Sequence, residues 1–323
     1  MVVQRDSIVE KVSDLYEKIS NLESLKPSKD VDMLFTQLVL LCTPPNPIDV
    51  TKLPKNNQEM RSKLIRLCGE AEGLMEKHYA TILGSFDNPI DHFDLFPYFN
   101  NYIKLSLLEY NILIHHCSSQ APNRVAFIGS GPLPLTSICL ALYHLTSTTF
   151  DNYDIDEEAN SLAARLIASD SDLSKRMFFN TANIMNVTSE LKDYDVVFLA
   201  ALVGMNKEDK VQAIEHLAKN MAPGSLLMLR SAHGSRGFLY PIVDSCDLHG
   251  FEVLSVYHPT DEVINSVVIA RKLQVNEVAT IALTEDATVK NNVIEELKLK
   301  QNVDDETFKM NMVEEFAFEQ NLA

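Results

Sequence analysis

Basic residues are scarce in this chain. Its 28 lysines and arginines stand against 45 aspartates and glutamates, a formal net charge of −17 at pH 7. Such a balance argues against nucleic acid or an anionic membrane surface as the main partner, whereas a cationic small molecule suits the field. Ordinary solubility accounts for the charge equally well. No apolar run approaches the ~20 residues of a membrane span, and the N-terminal Met1-Val2-Val3-Gln4-Arg5-Asp6 has no signal-peptide core. The five cysteines (Cys42, Cys68, Cys117, Cys139, Cys246) form neither a C-x-x-C pair nor a zinc spacing with histidine. Reduced, buried thiols in a cytoplasmic protein are the reading that follows. No internal repeat or low-complexity tract is visible. What remains is a 323-residue globular sequence, 46% hydrophobic and 23% charged, long enough for one large or two modest domains.

The organising stretch is Arg124-Val125-Ala126-Phe127-Ile128-Gly129-Ser130-Gly131-Pro132-Leu133-Pro134. An apolar run, two glycines one residue apart and a helix-forming continuation read as a buried strand, a tight turn and a helix start. Gly129 suits the turn, and Gly131 leaves the backbone bare for a ligand. Pro134 stands where a dinucleotide fingerprint has its third glycine, so the loop matches NAD binding poorly. The run Thr149-Phe150-Asp151-Asn152-Tyr153-Asp154-Ile155-Asp156 reads as a second strand ending in acids. Asp154 has the spacing of a carboxylate on a ribose diol, with Ile155 flat against an adenine ring. Asp156 reads as a helix cap.

Residues 6–120 read as helices throughout, over Ser7–Leu25, Asp30–Leu41, Asn57–Leu83 and Phe96–Cys117, with Pro44-Pro45-Asn46-Pro47 as a stop. From Arg124 strands alternate with helices. Strands are expected over 124–129, 148–156, 175–183, 194–201, 224–232, 251–259 and 265–272. Helices are expected over 135–145, 157–168, 207–221 and 237–247. The last two strands are too close for a parallel crossover and should pair antiparallel. The expected fold is therefore α/β: a seven-stranded, doubly wound, Rossmann-like sheet of the methyltransferase type with an N-terminal α-helical domain. The expected division is a helical lid (1–120), a ligand-binding Rossmann-like domain (121–273) and a partly ordered acidic tail (274–323).

Further candidates lie at the strand ends. Asn183 follows the third strand, where its side-chain oxygen can accept a hydrogen bond from an adenine amino group. The fourth strand ends in Ala200 and Ala201, small enough to floor a pocket, with core packing as the alternative. Arg230, His233 and Arg236 cluster after the fifth strand, where open α/β sheets bind ligands and where arginine suits a carboxylate; a solvated loop is the other reading. In the helical layer Glu72 and Glu76 stand four apart on one face, placed to bind an ammonium or merely to be solvated. Tyr98 and Tyr102 read equally as pocket or core residues.

Taken together, Phe127–Pro134, Asn152–Asp156, Tyr194–Met205 and Arg230–Gly234, with Gly69–Gly73 and Phe96–Tyr102, resemble the plant nicotianamine synthases up to about residue 272. Asn183 departs from that pattern, which has an acid there. The resemblance implies an enzyme that condenses three S-adenosylmethionines into nicotianamine, releasing three methylthioadenosines. It implies no metal and no cofactor beyond S-adenosylmethionine itself. By the same resemblance Glu76, and second to it Glu72, would take the proton of the attacking amine, with Tyr102 bounding that pocket. Gly129, Gly131, Asp154, Ile155, Asn183 and Ala200 would hold the nucleoside, and Arg230, His233 and Arg236 the amino-acid arm. The stretch Tyr102-Ile103-Lys104-Leu105, followed by Leu107-Leu108, matches vesicle-sorting signals of plant members, although such spacing on a helix is more often core. A small-molecule methyltransferase and an inactive S-adenosylmethionine-binding homologue are the alternatives. Neither protein partners nor oligomeric state can be read from the sequence.

Overall fold

The computed structural model describes residues 2–44, 48–117 and 120–274. Four helices open the chain: α1 (Val2–Ser20), α2 (Lys29–Cys42), α3 (Lys55–Leu83) and α4 (Phe99–His116). Ser28 caps α2 by accepting the Val31 N–H, with Asp30 and Asp32 in the first turn, where the helix dipole favours acids. Helix α4 starts three residues later than its apolar pattern suggests. A 3-10 turn over Pro89–Leu95 and then Pro97 precede it, and a residue before proline avoids the helical region.

The alternation that follows is β1 (Arg124–Ile128), α5 (Leu135–Cys139), β2 (Thr149–Asp154), α6 (Glu157–Ile167), α7 (Leu173–Arg176), β3 (Met177–Thr181), β4 (Val196–Leu199), α8 (Lys207–Asn220), β5 (Leu226–Ser231), β6 (Phe251–Tyr257) and β7 (Ser266–Lys272). One seven-stranded sheet results, in the order β3-β2-β1-β4-β5-β7-β6. Strands β1 to β5 pair in parallel, and β7 pairs antiparallel with both β5 and β6. The expected α/β fold and antiparallel ending are thus present. The sequence left open that β7 would slot between β5 and β6.

Two expected helices differ. Residues 135–145 form only the short α5, which passes into a π-turn over Leu140–His144. Residues 237–247 hold 3-10 turns at Gly234–Phe238 and Ser245–Asp247 rather than an α-helix. Pro241 lies between those turns and cannot donate to a helical ladder.

Strand β1 is buried on both faces, and its residues alternate between two cores. Val125 and Phe127 join α4, α5 and the end of α3. Ala126 and Ile128 join α8 and the segment after β3. A third core ties α1, α2 and α3 to Phe238 and Leu239, after β5. Shared cores hold the described residues together in one compact unit. The helical layer is therefore packed onto the sheet rather than held on a linker. The expectation of an acidic tail falls on residues beyond 274, outside the described ones.

Strand order reverses between β1 and β4, and at such a switch point a crevice opens at the carboxyl ends of the strands. Helix α3 crosses above this crevice.

Candidate active site

The β1 loop is locked to β2 from its first residue. The Gly129 and Ser130 N–H groups both donate to Tyr153 O, at 2.8 and 3.2 Å, and Gly131 N–H donates to Asp154 Oδ2 at 2.8 Å. Both glycines have positive φ (78° and 66°), which a side chain resists. A Cβ on Gly129 would collide with Val203, and one on Gly131 would stand 2.8 Å from Glu76 Oε2. The bareness of Gly131 thus admits a carboxylate of the protein itself. Asp154 also accepts the Asp156 N–H at 3.0 Å, and Asp156 caps α6 through Glu158 N–H.

A cavity of about 1380 Å³ fills the space between this loop and the helical layer. Its lining includes Gly129, Gly131, Asp154, Ile155, Asn183 and Ala200, and also Glu72, Glu76, Tyr98, Tyr102 and Arg230. Ile155 is 73% exposed, an apolar surface open to a flat ring. No local spacing joins these two groups, because they come from separate segments, Gly129 lying 53 residues after Glu76 and Arg230 lying 30 after Ala200.

Glu72 and Glu76 do share one face of α3, and each takes a tyrosine hydroxyl. Tyr102 Oη donates to Glu76 Oε1 at 3.2 Å and Tyr240 Oη to Glu72 Oε2 at 2.9 Å. Burial, then the neighbouring Glu72 charge, pushes the Glu76 carboxyl well above the usual range, although the Tyr102 hydrogen bond opposes this. Burial also raises Glu72, against Tyr240 and Arg230. Each carboxyl therefore releases its proton at a higher pH than an exposed glutamate does. Tyr102 is raised well above its ordinary value by burial and by both carboxylates, so it remains a hydroxyl donor.

Arg230 leaves β5 toward α4 and is almost fully buried. Its Nε and Nη2 donate to the two oxygens of Glu109, at 2.7 and 3.0 Å, and Nη2 also to Thr136 Oγ1 at 2.6 Å. Nη1 has no partner among the described residues. Burial works against the charge, but Glu109 outweighs it and the Arg230 pKa is raised.

Three expected contacts take another form. His233 and Arg236 do not line the cavity. His233 stacks on His258 with ring centres 4.0 Å apart, and Arg236 Nη2 donates to Asp261 O at 2.7 Å. After Ser231 the chain turns away from the cavity, and both residues go with it. Asn183 lines the cavity, but its oxygen already accepts the Met185 N–H at 3.0 Å, capping a 3-10 turn over Ile184–Asn186. The acceptor proposed for an adenine amino group is thus partly engaged. Of the sorting-type stretch, Tyr102 faces Glu76 and Leu105 is buried, whereas Leu107 is 46% exposed.

The model of the nicotianamine synthase protein family matches residues 2–277. The chain belongs to the nicotianamine synthase family. It is 66% identical over 271 residues to the nicotianamine synthase of Solanum lycopersicum, covering 84% of this chain and 85% of the relative. It is 65% identical over 272 residues to the probable nicotianamine synthase 4 of Arabidopsis thaliana, covering 84% of each. Among solved structures, MtNAS in complex with MTA and tNA has the same fold: TM-score 0.68, 21% identity, and coverage of 83% of this chain and 98% of that one.

Several residues of this nicotianamine synthase site were missed in the sequence. Glu109 carried a signal: it is an acid on the same helical face as the buried Leu105, Ile112 and Leu113, where an unpaired charge is costly. Tyr240 and Thr136 carried none. Lys210, buried in α8, donates to Ala200 O and Ala201 O at 3.0 and 2.8 Å and so fixes the cavity floor, with its pKa lowered by burial to about 7. Outside the cavity, Asp244, Cys246 and Asp247 lie together, and Lys207 pairs with both aspartates. The cysteines are free; Cys42, Cys68 and Cys139 are buried, whereas Cys246 is exposed. No helix among the described residues is long and apolar enough to cross a membrane.

Proposed function

We propose that this family member condenses three S-adenosylmethionines into one nicotianamine and releases three methylthioadenosines. It is an S-adenosylmethionine-dependent aminocarboxypropyl transferase. The observation that carries the mechanism is the carboxylate of Glu76, beside Gly131 and bonded to Tyr102, inside the cavity lined by Asp154 and Arg230.

A sulfonium activates three adjacent carbons, so geometry selects the reaction. Asp154, Gly129, Gly131, Ile155 and Ala200 hold the nucleoside, with Asn183 at its edge. Arg230 holds a carboxylate of the amino-acid arm. An amine then attacks the arm carbon bound to sulfur. The nitrogen lone pair forms the C–N bond as the C–S electron pair leaves on the sulfur of methylthioadenosine. Glu76 accepts the proton that the new ammonium sheds, and its raised pKa makes it a stronger base. Tyr102 orients that carboxylate, and Glu72 assists by holding positive charge. In the final step the nucleophilic nitrogen belongs to the same molecule, so the same displacement closes a ring. The helical residues 1–120 cover the sheet domain, 121–273, and keep water from the arm. The reaction draws on no metal or cofactor beyond S-adenosylmethionine, and the acidic protein works in the cytoplasm, with no nucleic acid partner.

Incubation with S-adenosylmethionine alone tests this. Methylthioadenosine should appear at three equivalents per nicotianamine, carboxyl-carbon label should enter nicotianamine, and methyl label should leave with methylthioadenosine. Methyl label in an acceptor, with S-adenosylhomocysteine as coproduct, would make the protein a methyltransferase instead.

The nucleoside grip has its own test. Asp154→Ala removes a charge-assisted hydrogen bond, which costs roughly 1.5–3 kcal/mol, so S-adenosylmethionine affinity should fall about ten- to a hundredfold. Because Asp154 also anchors Gly131, Asp154→Asn, which retains one acceptor, separates loop collapse from loss of the ribose contact. Asp156→Asn should have a far smaller effect. Unchanged calorimetric affinity in Asp154→Ala rejects the assignment.

A further inference from the structure

The inner end of the cavity contains a polar side chain with nothing to bond. Asn265 is 8% exposed and lines the cavity, yet its Nδ2 is buried without a partner, and no hydrogen bond holds either end of its amide. An orphaned buried amide costs free energy that the folded chain does not recover by itself, and it calls for a bonding partner.

Its place in the sheet identifies that partner. Arg230 on β5 stands opposite Val267 on β7, and Ser231 opposite Ser266. Residues directly opposite in an antiparallel pair share a face, and side chains two apart along a strand share it again. Asn265 is two residues before Val267, so it lies on the Arg230 face as its diagonal neighbour. Diagonal positions are roughly 7–8 Å apart, within reach of long side chains. Arg230 has three of its contacts fixed by Glu109 and Thr136, while Nη1 is unpaired. On that face two N–H groups are thus without a partner among the described residues, the cationic Nη1 of Arg230 and the neutral, buried Nδ2 of Asn265.

We infer that Asn265 and Arg230 Nη1 together clamp one α-carboxylate of the amino-acid arm, either of S-adenosylmethionine or of the growing condensation product. This rests on the function proposed above and adds a residue to it. The carboxylate takes a charge-assisted bond from each donor. Because nothing pins the amide, it can turn to present Nδ2, a rotation that costs little about a broad two-fold torsion. The clamp also has a directional role. With the carboxylate held at β5 and β7 and the nucleoside held at β1 and β2, the arm is stretched across the switch point beneath Glu76.

Calorimetry on the full chain separates the outcomes, with S-adenosylmethionine, nicotianamine and methylthioadenosine as probes. Methylthioadenosine lacks the amino-acid arm, so Asn265→Leu should bind it as the unaltered protein does. Affinity for S-adenosylmethionine and nicotianamine should fall about ten- to a hundredfold. Asn265→Asp, nearly the same shape but carrying a charge that repels a carboxylate, should weaken both at least as much. Thermal unfolding of ligand-free Asn265→Leu should be no lower than that of the unaltered protein, since an orphaned group has been removed. If Asn265→Leu fails to fold, Asn265→Asp decides. Equal affinity of a folded variant for S-adenosylmethionine, or an equal loss for methylthioadenosine, overturns the clamp. If the unaltered protein binds neither S-adenosylmethionine nor methylthioadenosine, the proposed function fails rather than the clamp.

Discussion

Glu76→Gln should lower turnover by about two to four orders of magnitude, the span usual for a general base, with near-normal S-adenosylmethionine binding. The substitution keeps size and the ability to accept from Tyr102, and removes only the charge that takes the proton. The unaltered enzyme should lose activity as pH falls through the Glu76 pKa, which burial and Glu72 hold well above 4.5. That acid limb should be absent in the variant. Stability moves the other way. The folded state binds the Glu76 proton more tightly than the unfolded chain, so its contribution to stability is present below about pH 4.5 and declines as pH rises. At neutral pH the glutamine variant should therefore be at least as stable as the parent, and below about pH 4.5 the difference should vanish. Stopped assays across pH, with denaturant unfolding in parallel, check both halves. A comparable loss in Glu72→Gln, with Glu76→Gln active, would reverse the assignment within the pair.

Much of the sheet could be read in advance because two-sided burial leaves continuous apolar runs such as Val125–Ile128, which end in turn glycines. The nucleoside side of the site could be read for the same reason, since Gly129, Gly131 and Asp154 belong to one local motif whose spacing carries its geometry. The amino-acid side could not. It is assembled from α3, α4, α5, β5 and the approach to β7, and no local pattern records that Glu109 meets Arg230 across 121 residues. The sequence showed three cationic candidates after β5 without the direction of any. Pleating sends Arg230 to the α4 side, and the turn after Ser231 carries His233 and Arg236 away. Asn265 stayed invisible because an asparagine before a strand is an ordinary turn residue. Only β7 docking against β5 puts it on the face that carries Arg230.

The second large effect concerns Glu109, which touches none of the nucleoside-binding residues. Its carboxylate is 1% exposed and takes two hydrogen bonds from Arg230. Glu109→Ala would leave the arginine charge buried with only Thr136 as partner. Breaking a buried pair from one side costs about 3–5 kcal/mol, because the surviving charge stays desolvated. The denaturation midpoint of Glu109→Ala should therefore fall steeply, and S-adenosylmethionine affinity with it, as Arg230 loses the brace that fixes its fork. The double variant Glu109→Leu, Arg230→Met removes both charges and fills the space with apolar groups, an exchange that is often neutral or stabilising. It should recover most of the lost stability. It should not recover binding of the amino-acid arm, because the carboxylate has lost its cation, while methylthioadenosine should still bind. That split between restored folding and unrestored substrate affinity is what a purely structural ion pair would not produce. A double variant with normal S-adenosylmethionine affinity removes Arg230 from substrate recognition. An unchanged midpoint in Glu109→Ala removes the pair from the stability of the fold.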